Sequence, residues 1–129
     1  MALPRYLFVA IALSFLLFLA IYLSRQYVES SPYKISAGMA KQLIHDKKVD
    51  LILDVRTDLE RSTLGFFAGS VHVQSADLEK RMPTAYPDKN IRIIAYCNTG
   101  HRARMATEKL HQMGYKNALY IPTSHRTLQ

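Results

Sequence analysis

The stretch Ile91-Arg92-Ile93-Ile94-Ala95-Tyr96-Cys97-Asn98-Thr99-Gly100-His101-Arg102 decides how this chain is read. Its first six residues are a short run, apolar apart from Arg92 and rich in branched side chains, the pattern of a buried strand. Beyond Arg102, the residues Ala103, Ala106, Leu110 and Met113 recur on one helical face, and Gly114 stops the run. A strand, a tight loop and a helix therefore follow one another, with Cys97 at the strand end and Arg102 opening the helix.

The same alternation extends outward in both directions. Pro87-Asp88-Lys89-Asn90 reads as a turn before the strand. Upstream, Val49 to Val55 reads as a buried strand and Gly69 to Val73 as another. Ser36 can cap a helix from Ala37 to Asp46, with Met39, Leu43 and Ile44 as its buried stripe. Ser75 can cap a short helix that ends before Pro83. Downstream, Asn117 to Ile121 is a last strand before Pro122. Strands alternating with helices of this length predict an α/β fold, an open parallel sheet with helices on both faces.

The N-terminal quarter differs in kind. Tyr6 to Leu23 carries no charge, and every acidic residue lies at Glu29 or later. At about 1.5 Å per residue the run spans roughly 27 Å, close to a bilayer core of about 30 Å. Arg5 and Arg25 bracket it, and Tyr6, Tyr22 and Tyr27 stand near its ends, where interfacial aromatics belong. A cleaved signal peptide would have a shorter apolar run and a small-x-small exit, which Ser24-Arg25-Gln26-Tyr27 does not supply. A core helix of so small a domain would rarely be apolar all round. The expected organisation is a tail at residues 1–5, a transmembrane helix at 6–23, a linker at 24–32 and a soluble domain at 33–129. The helix is expected to add nothing to the domain core. Arg25, Lys34 and Lys41 outnumber the cations on the other flank, which places the C-terminal domain on the cytoplasmic side of a single-pass membrane protein.

Net charge is +7, scattered among acids such as Asp46, Asp58 and Glu79. A scattered excess suits a domain held beside anionic lipid, or one that takes small anions, better than a nucleic-acid partner. No set of His, Cys and carboxylates has metal-ligand spacing, and no cofactor is expected. The sequence is silent on oligomeric state. With one cysteine there is no intrachain disulfide.

A lone cysteine is most often a small buried hydrophobe. The position of Cys97 argues for more. Ligands in open parallel sheets bind beyond the carboxyl ends of strands. Amides at a helix N-terminus are unpaired, and the helix dipole adds partial positive charge there. Arg102, Arg104 and a protonated His101 would add to it, and such surroundings favour a thiolate. Gly100 lets backbone approach a bound group closely.

These residues resemble the rhodanese family. Cys97-x-x-Gly100-x-Arg102 is similar to its active-site loop. Asp54-Val55-Arg56 with Glu60 and Gly65 resembles its D-V-R…E…G segment, and Gly69-Ser70-Val71-His72-Val73 one of its strands. Ala106, Leu110, Gly114-Tyr115 and Leu119-Tyr120 complete the pattern, so the resemblance covers Tyr33 to about Ile121. It implies a sulfurtransferase that moves sulfane sulfur from a small anionic donor such as thiosulfate, polysulfide or a persulfide. The acceptor would be a thiol or cyanide, and a Cys97 persulfide the intermediate. Asn98, Thr99, Gly100, His101 and Arg102 would bind substrate. Asp54, Arg56 and Glu60 would support the loop from behind, Arg56 and Glu60 as an ion pair one helical turn apart. His72 would serve packing.

Three departures stand out. Asn98 replaces an Arg common after the cysteine, which takes a charge from the cradle. Gly65-Phe66-Phe67-Ala68-Gly69 replaces the family's G-H-I-P-G. The chain ends Pro122-Thr123-Ser124-His125-Arg126-Thr127-Leu128-Gln129 in place of a G-G turn and closing helix, which leaves one sheet face less covered. Two other functions fit the same loop less well. A Cys-dependent phosphatase or arsenate reductase places five residues between Cys and Arg, and here there are only Asn98 to His101. A non-catalytic, membrane-anchored rhodanese-like binding module would have no need of Cys97.

Overall fold

The computed structural model describes residues 2–129. Four parallel strands, β1 (Leu51–Asp54), β2 (Val71–His72), β3 (Ile93–Tyr96) and β4 (Ala118–Tyr120), form one sheet in the order β2-β1-β3-β4. β3 is central because it is apolar on both faces and all four of its residues are buried. Leu53 pairs with Ala95 and Ile93 with Ala118 in register.

Side chains alternate across the sheet, so each strand feeds two cores. Leu51, Leu53, Val55, Ile93, Ala95 and Cys97 face one side, packed under α4 (Leu78–Ala85) and α5 (His101–Gln112). Ile94, Tyr96 and Ile121 face the other, under α2 (Ala37–His45) and a 3-10 turn at His125–Leu128. The parallel sheet with helices on both faces is thus present. The C-terminal tail covers more of the second face than its composition suggested, because His125 and Leu128 turn inward and are buried. A groove of about 410 Å³ lined by Leu43, Val49, Ile94 and Leu119 stays open beside it.

Several local expectations are corrected. Ser36 does cap α2, accepting from the Met39 amide at 3.1 Å. The buried position is Ala40, however, and Met39 is exposed. A small side chain lets the helix sit close to the sheet, and the next residue back points about 100° away. Ser75 opens a 3-10 turn (Ser75–Asp77) and does not cap the helix that follows it. Pro83 lies inside α4. Its ring removes the backbone bond to the Glu79 carbonyl, and the helix ends two residues later at Ala85.

The largest correction concerns the N-terminus. One helix, α1, runs from Arg5 to Glu29, so the first residues of the supposed linker continue it. Its apolar window has no buried residue, and it is long and apolar enough to cross a membrane. A signal sequence passes the same test of length and composition. Its last turn is another matter. Val28 is 1 % exposed and belongs to the main core, where the Tyr120 hydroxyl donates to its carbonyl. A chain begun at Ser31 is therefore expected to lose about 1.5–3 kcal/mol from Val28 burial alone. Urea midpoints of the long and short chains measure this, and equal midpoints would place α1 outside the core.

Candidate active site

Cys97 leaves the carboxyl end of β3 on the α5 side of the sheet. The chain then turns through Asn98 and Thr99 to Gly100, whose φ of 91° makes the corner into α5. That corner aims two amides at the sulfur. Gly100 N–H donates to Cys97 Sγ at 3.1 Å and Ala103 N–H at 3.4 Å. The first-turn amides of α5 have no partner within the helix, and the positive end of its dipole lies at the same place. Both amides and the dipole present positive partial charge to the sulfur. The thiol is 1 % exposed, so it lies beneath the loop rather than on it.

Behind the loop stands an ionic network arranged otherwise than sequence spacing suggests. Arg56 does not pair with Glu60. It grips Asp54, with Nε donating to Oδ1 at 3.0 Å and Nη2 to Oδ2 at 2.9 Å, and both side chains are fully buried. Arg56 also donates to the Gly65 carbonyl at 2.6 Å. Glu60 instead receives Arg102, which donates one nitrogen to each carboxylate oxygen at 2.7 Å. Asn98 joins the two pairs, accepting from Arg56 at 3.2 Å and donating to Glu60 at 2.9 Å. An amide can do this because it offers both an acceptor and a donor. An arginine there would meet two other guanidinium groups, so the departure at 98 fits the surroundings.

The remaining predicted residues sort as follows. Thr99 takes part through its backbone, but its carbonyl accepts from Arg25 of α1 at 2.8 Å. His101 lies against Tyr27, ring centres 4.7 Å apart. His72 does more than pack, since Nε2 is 2.6 Å from the Arg56 carbonyl and Nδ1 3.2 Å from Asp58. A family model for the rhodanese-like domain matches residues 36–123.

The chain belongs to the rhodanese family. Over 47 residues it is 38 % identical to thiosulfate sulfurtransferase PspE of Escherichia coli (strain K12), which is 36 % of this chain and 45 % of that protein. The chain thus spans under half the length of the curated relative it matches. The human single-domain sulfurtransferase TSTD1 shares the fold at a TM-score of 0.64 and 20 % identity, over 75 % of this chain and 95 % of that one. A Rhodopseudomonas palustris CGA009 protein of unknown function, RPA3614, described as a possible tyrosine phosphatase, does so at 0.65 and 24 %, over 81 % and 84 %.

Within this rhodanese domain, sequence reasoning missed two supports of the site. Arg61 and the Tyr96 hydroxyl both donate to Asp54 Oδ2 at 3.1 Å. Burial pushes the Asp54 carboxyl up, but the hydrogen bonds and charge of Arg56 outweigh it and hold the group below its ordinary range. Tyr96 had a signal, being a polar-tipped residue on an otherwise apolar strand. Arg61 had none, since its partners Asp54 and Ser70 come from other elements.

Glu60 gives a pH prediction. Hydrogen bonds from Arg102, then the amide and hydroxyl of Thr57, lower its carboxyl from 4.5 to about 2 against the opposing effect of burial. A depressed carboxylate contributes stability that is complete above its ordinary value and is lost as pH falls toward the folded one. Stability should therefore fall between pH 4.5 and about 2 as Arg102 is released. Glu60→Gln should flatten that part of the curve in urea unfolding, and an unchanged slope would contradict the pairing.

Proposed function

We propose that this rhodanese is a membrane-anchored sulfurtransferase in which Cys97 carries sulfane sulfur as a persulfide. The observation that carries the reading is the pair of amides aimed at Sγ. They stabilise negative charge where it develops and need no rearrangement to do so. In the first step the Cys97 thiolate attacks the outer sulfur of the donor. A new S–S bond forms and the donor's bond breaks, the leaving group (sulfite, for thiosulfate) taking the electron pair. In the second step cyanide or a thiolate attacks the terminal sulfur, that S–S bond breaks, and the electron pair returns to Cys97. Two displacements replace one direct transfer, with no outside oxidant or reductant.

Arg102, Asn98 and Gly100 shape the loop, while the donor's charge is met elsewhere. Beside Asn98 lies a cavity of about 310 Å³ lined by Arg56, Leu64, Asn98, Ser124, His125 and Arg126. Its exposed cation, Arg126, suits an anionic donor, while Arg56 is held by Asp54; buried His125 has an Nδ1 without a hydrogen-bond partner. Burial, then Arg56, lowers the imidazole's pKa, so His125 acts there as a neutral group. The bidentate hold of Glu60 on Arg102 argues against a phosphatase, which needs that guanidinium free for phosphoryl oxygens. Thiocyanate release from thiosulfate and cyanide tests the activity. The reading requires turnover by the full chain, and none with either thiosulfate or polysulfide would move it to a binding module.

The bilayer is the other proposed partner, met through α1. None of its apolar window is buried in the folded chain, which supports insertion over a place in the core. The basic flank after it supports a cytoplasmic domain. The intact protein is expected to sediment with membranes and to resist carbonate extraction. Recovery of the uncleaved chain in the soluble fraction would contradict a single-pass anchor.

A further inference from the structure

The contacts at the end of α1 concentrate on the cysteine loop. Arg25 donates through Nη1 to the Thr99 carbonyl at 2.8 Å and through Nη2 to the Pro122 carbonyl at 3.5 Å. Its Nη2 is also held by Glu29 at 2.9 Å, and Glu29 in turn by Lys34 at 2.6 Å, so the guanidinium is fixed from behind. Tyr27 lies against His101, and Arg104 of α5 lies 3.8 Å over the Tyr27 ring while donating to the Tyr27 carbonyl. Val28 seats against Gly100 so closely that a Cβ there would come within 2.7 Å of Val28 Cγ1. Each of Thr99, Gly100, His101 and Arg104 is therefore touched by a residue that precedes the family-matched stretch, which begins at residue 36.

Charge and position give this cluster a direction. Thr99 and Gly100 form the corner from which the Gly100 and Ala103 amides reach Cys97 Sγ. A carbonyl at residue 99 that rotated would carry the Gly100 N–H with it, because the two share one peptide plane. The Arg25 bond to that carbonyl therefore sets the aim of the nearer of the two cradle donors. Arg25 is also only two residues past Leu23, the end of the uncharged run. At about 1.5 Å per residue that is roughly 3 Å of helix, which puts the loop beside the boundary of the apolar segment.

We propose that Arg25 is a positioning residue of the sulfur-transfer site, and that the last turn of the membrane helix is part of that site rather than a tether to it. The proposal rests on the sulfurtransferase reading and goes beyond it. The loop is not self-sufficient in this chain; it takes its geometry from the anchor. Sulfur donors and acceptors consequently reach Cys97 where the helix leaves the bilayer.

The test uses the full chain in lipid nanodiscs. Persulfide formation on Cys97 is followed by intact mass after mixing with thiosulfate or polysulfide, and amide exchange is followed at Gly100 and Ala103. Arg25→Ala should slow sulfur uptake about tenfold or more, since ångström-scale misplacement can cost as much as 10²-fold. The loss should fall on the maximal rate with little change in the donor concentration at half-rate. Exchange at Gly100 should quicken while the sheet amides stay protected. Arg25→Lys, which can still donate to the Thr99 carbonyl, should recover much of the rate. Lys80→Ala, which removes an exposed cation of α4 outside the cluster described above, should match the parent. If the parent takes up sulfur and Arg25→Ala does so at the parent's rate, this inference is overturned and the sulfurtransferase reading stands. A loss that Arg25→Lys does not relieve, or quickened exchange through the whole sheet, would also overturn it in favour of general destabilisation. If the parent itself takes up no sulfur from either donor, the sulfurtransferase reading fails first.

Discussion

Replacing Gly100 by valine is expected to destabilise the domain by about 2–6 kcal/mol and to abolish sulfur transfer. Two costs add. The first is conformational: Gly100 sits at φ 91°, where a branched side chain is a severe outlier. The second is steric. A Cβ at this position would lie 2.7 Å from Val28 Cγ1 and 2.8 Å from Pro122 Cα, and the latter is backbone that cannot rotate away. Against a typical stability of about 5–15 kcal/mol the sum is large enough that the valine variant can fail to fold. Alanine separates the two costs. Gly69 has a similar φ of 88° with nothing within 4 Å of its would-be Cβ, so Gly69→Ala meets the conformational cost alone. Gly100→Ala should be clearly less stable than Gly69→Ala in urea unfolding. Equal losses would mean that the close approach at Gly100 contributes nothing.

Cys97→Ser is expected to remove sulfur transfer completely while leaving the fold intact. The hydroxyl is close in size to the thiol and can accept from the same two amides, so the loop keeps its geometry. It cannot form a persulfide, so the first displacement has no nucleophile that can hold sulfur. The melting curve should keep its cooperative shape with a loss of about 1–3 kcal/mol at most, because the two amides supply the hydroxyl with donors but leave its own buried O–H in need of an acceptor. Residual turnover by the serine variant would show that sulfur moves by a route that avoids Cys97. It is the only cysteine in the chain, so no second thiol could substitute.

Much of this fold was legible because its signals are local. The run Ile91–Tyr96 followed by Cys97 and the spaced apolar residues from Ala103 to Leu110 placed strand, loop and helix within a residue or two of where they stand. Parallel topology followed from alternation alone. What failed was long-range or depended on packing. Arg56 and Glu60 have the spacing of a helical pair, yet Arg56 precedes α3 (Asp58–Leu64) and turns back to Asp54. Glu60 finds Arg102 across 42 positions of sequence, a partnership that no local pattern announces. Met39 is apolar and fits the inward stripe by pattern, although the close contact is made by the smaller Ala40. Arg25 has the sequence signature of a charge flanking a membrane segment, and that signature says nothing of its partners Thr99 and Pro122. The polar residues after Leu23 looked like a linker because a helix end that packs by one valine and hydrogen-bonds by one arginine has too few apolar positions to show a period.

The central claim is that Cys97, beneath its two amides, takes up one sulfur atom. The full chain in lipid nanodiscs is incubated with polysulfide or thiosulfate, freed of small molecules, and weighed intact. The account predicts a gain equal to one sulfur, absent from Cys97→Ser and reversed by cyanide with release of thiocyanate. An unchanged mass with both donors, in a chain whose sheet amides remain protected from exchange, would contradict it.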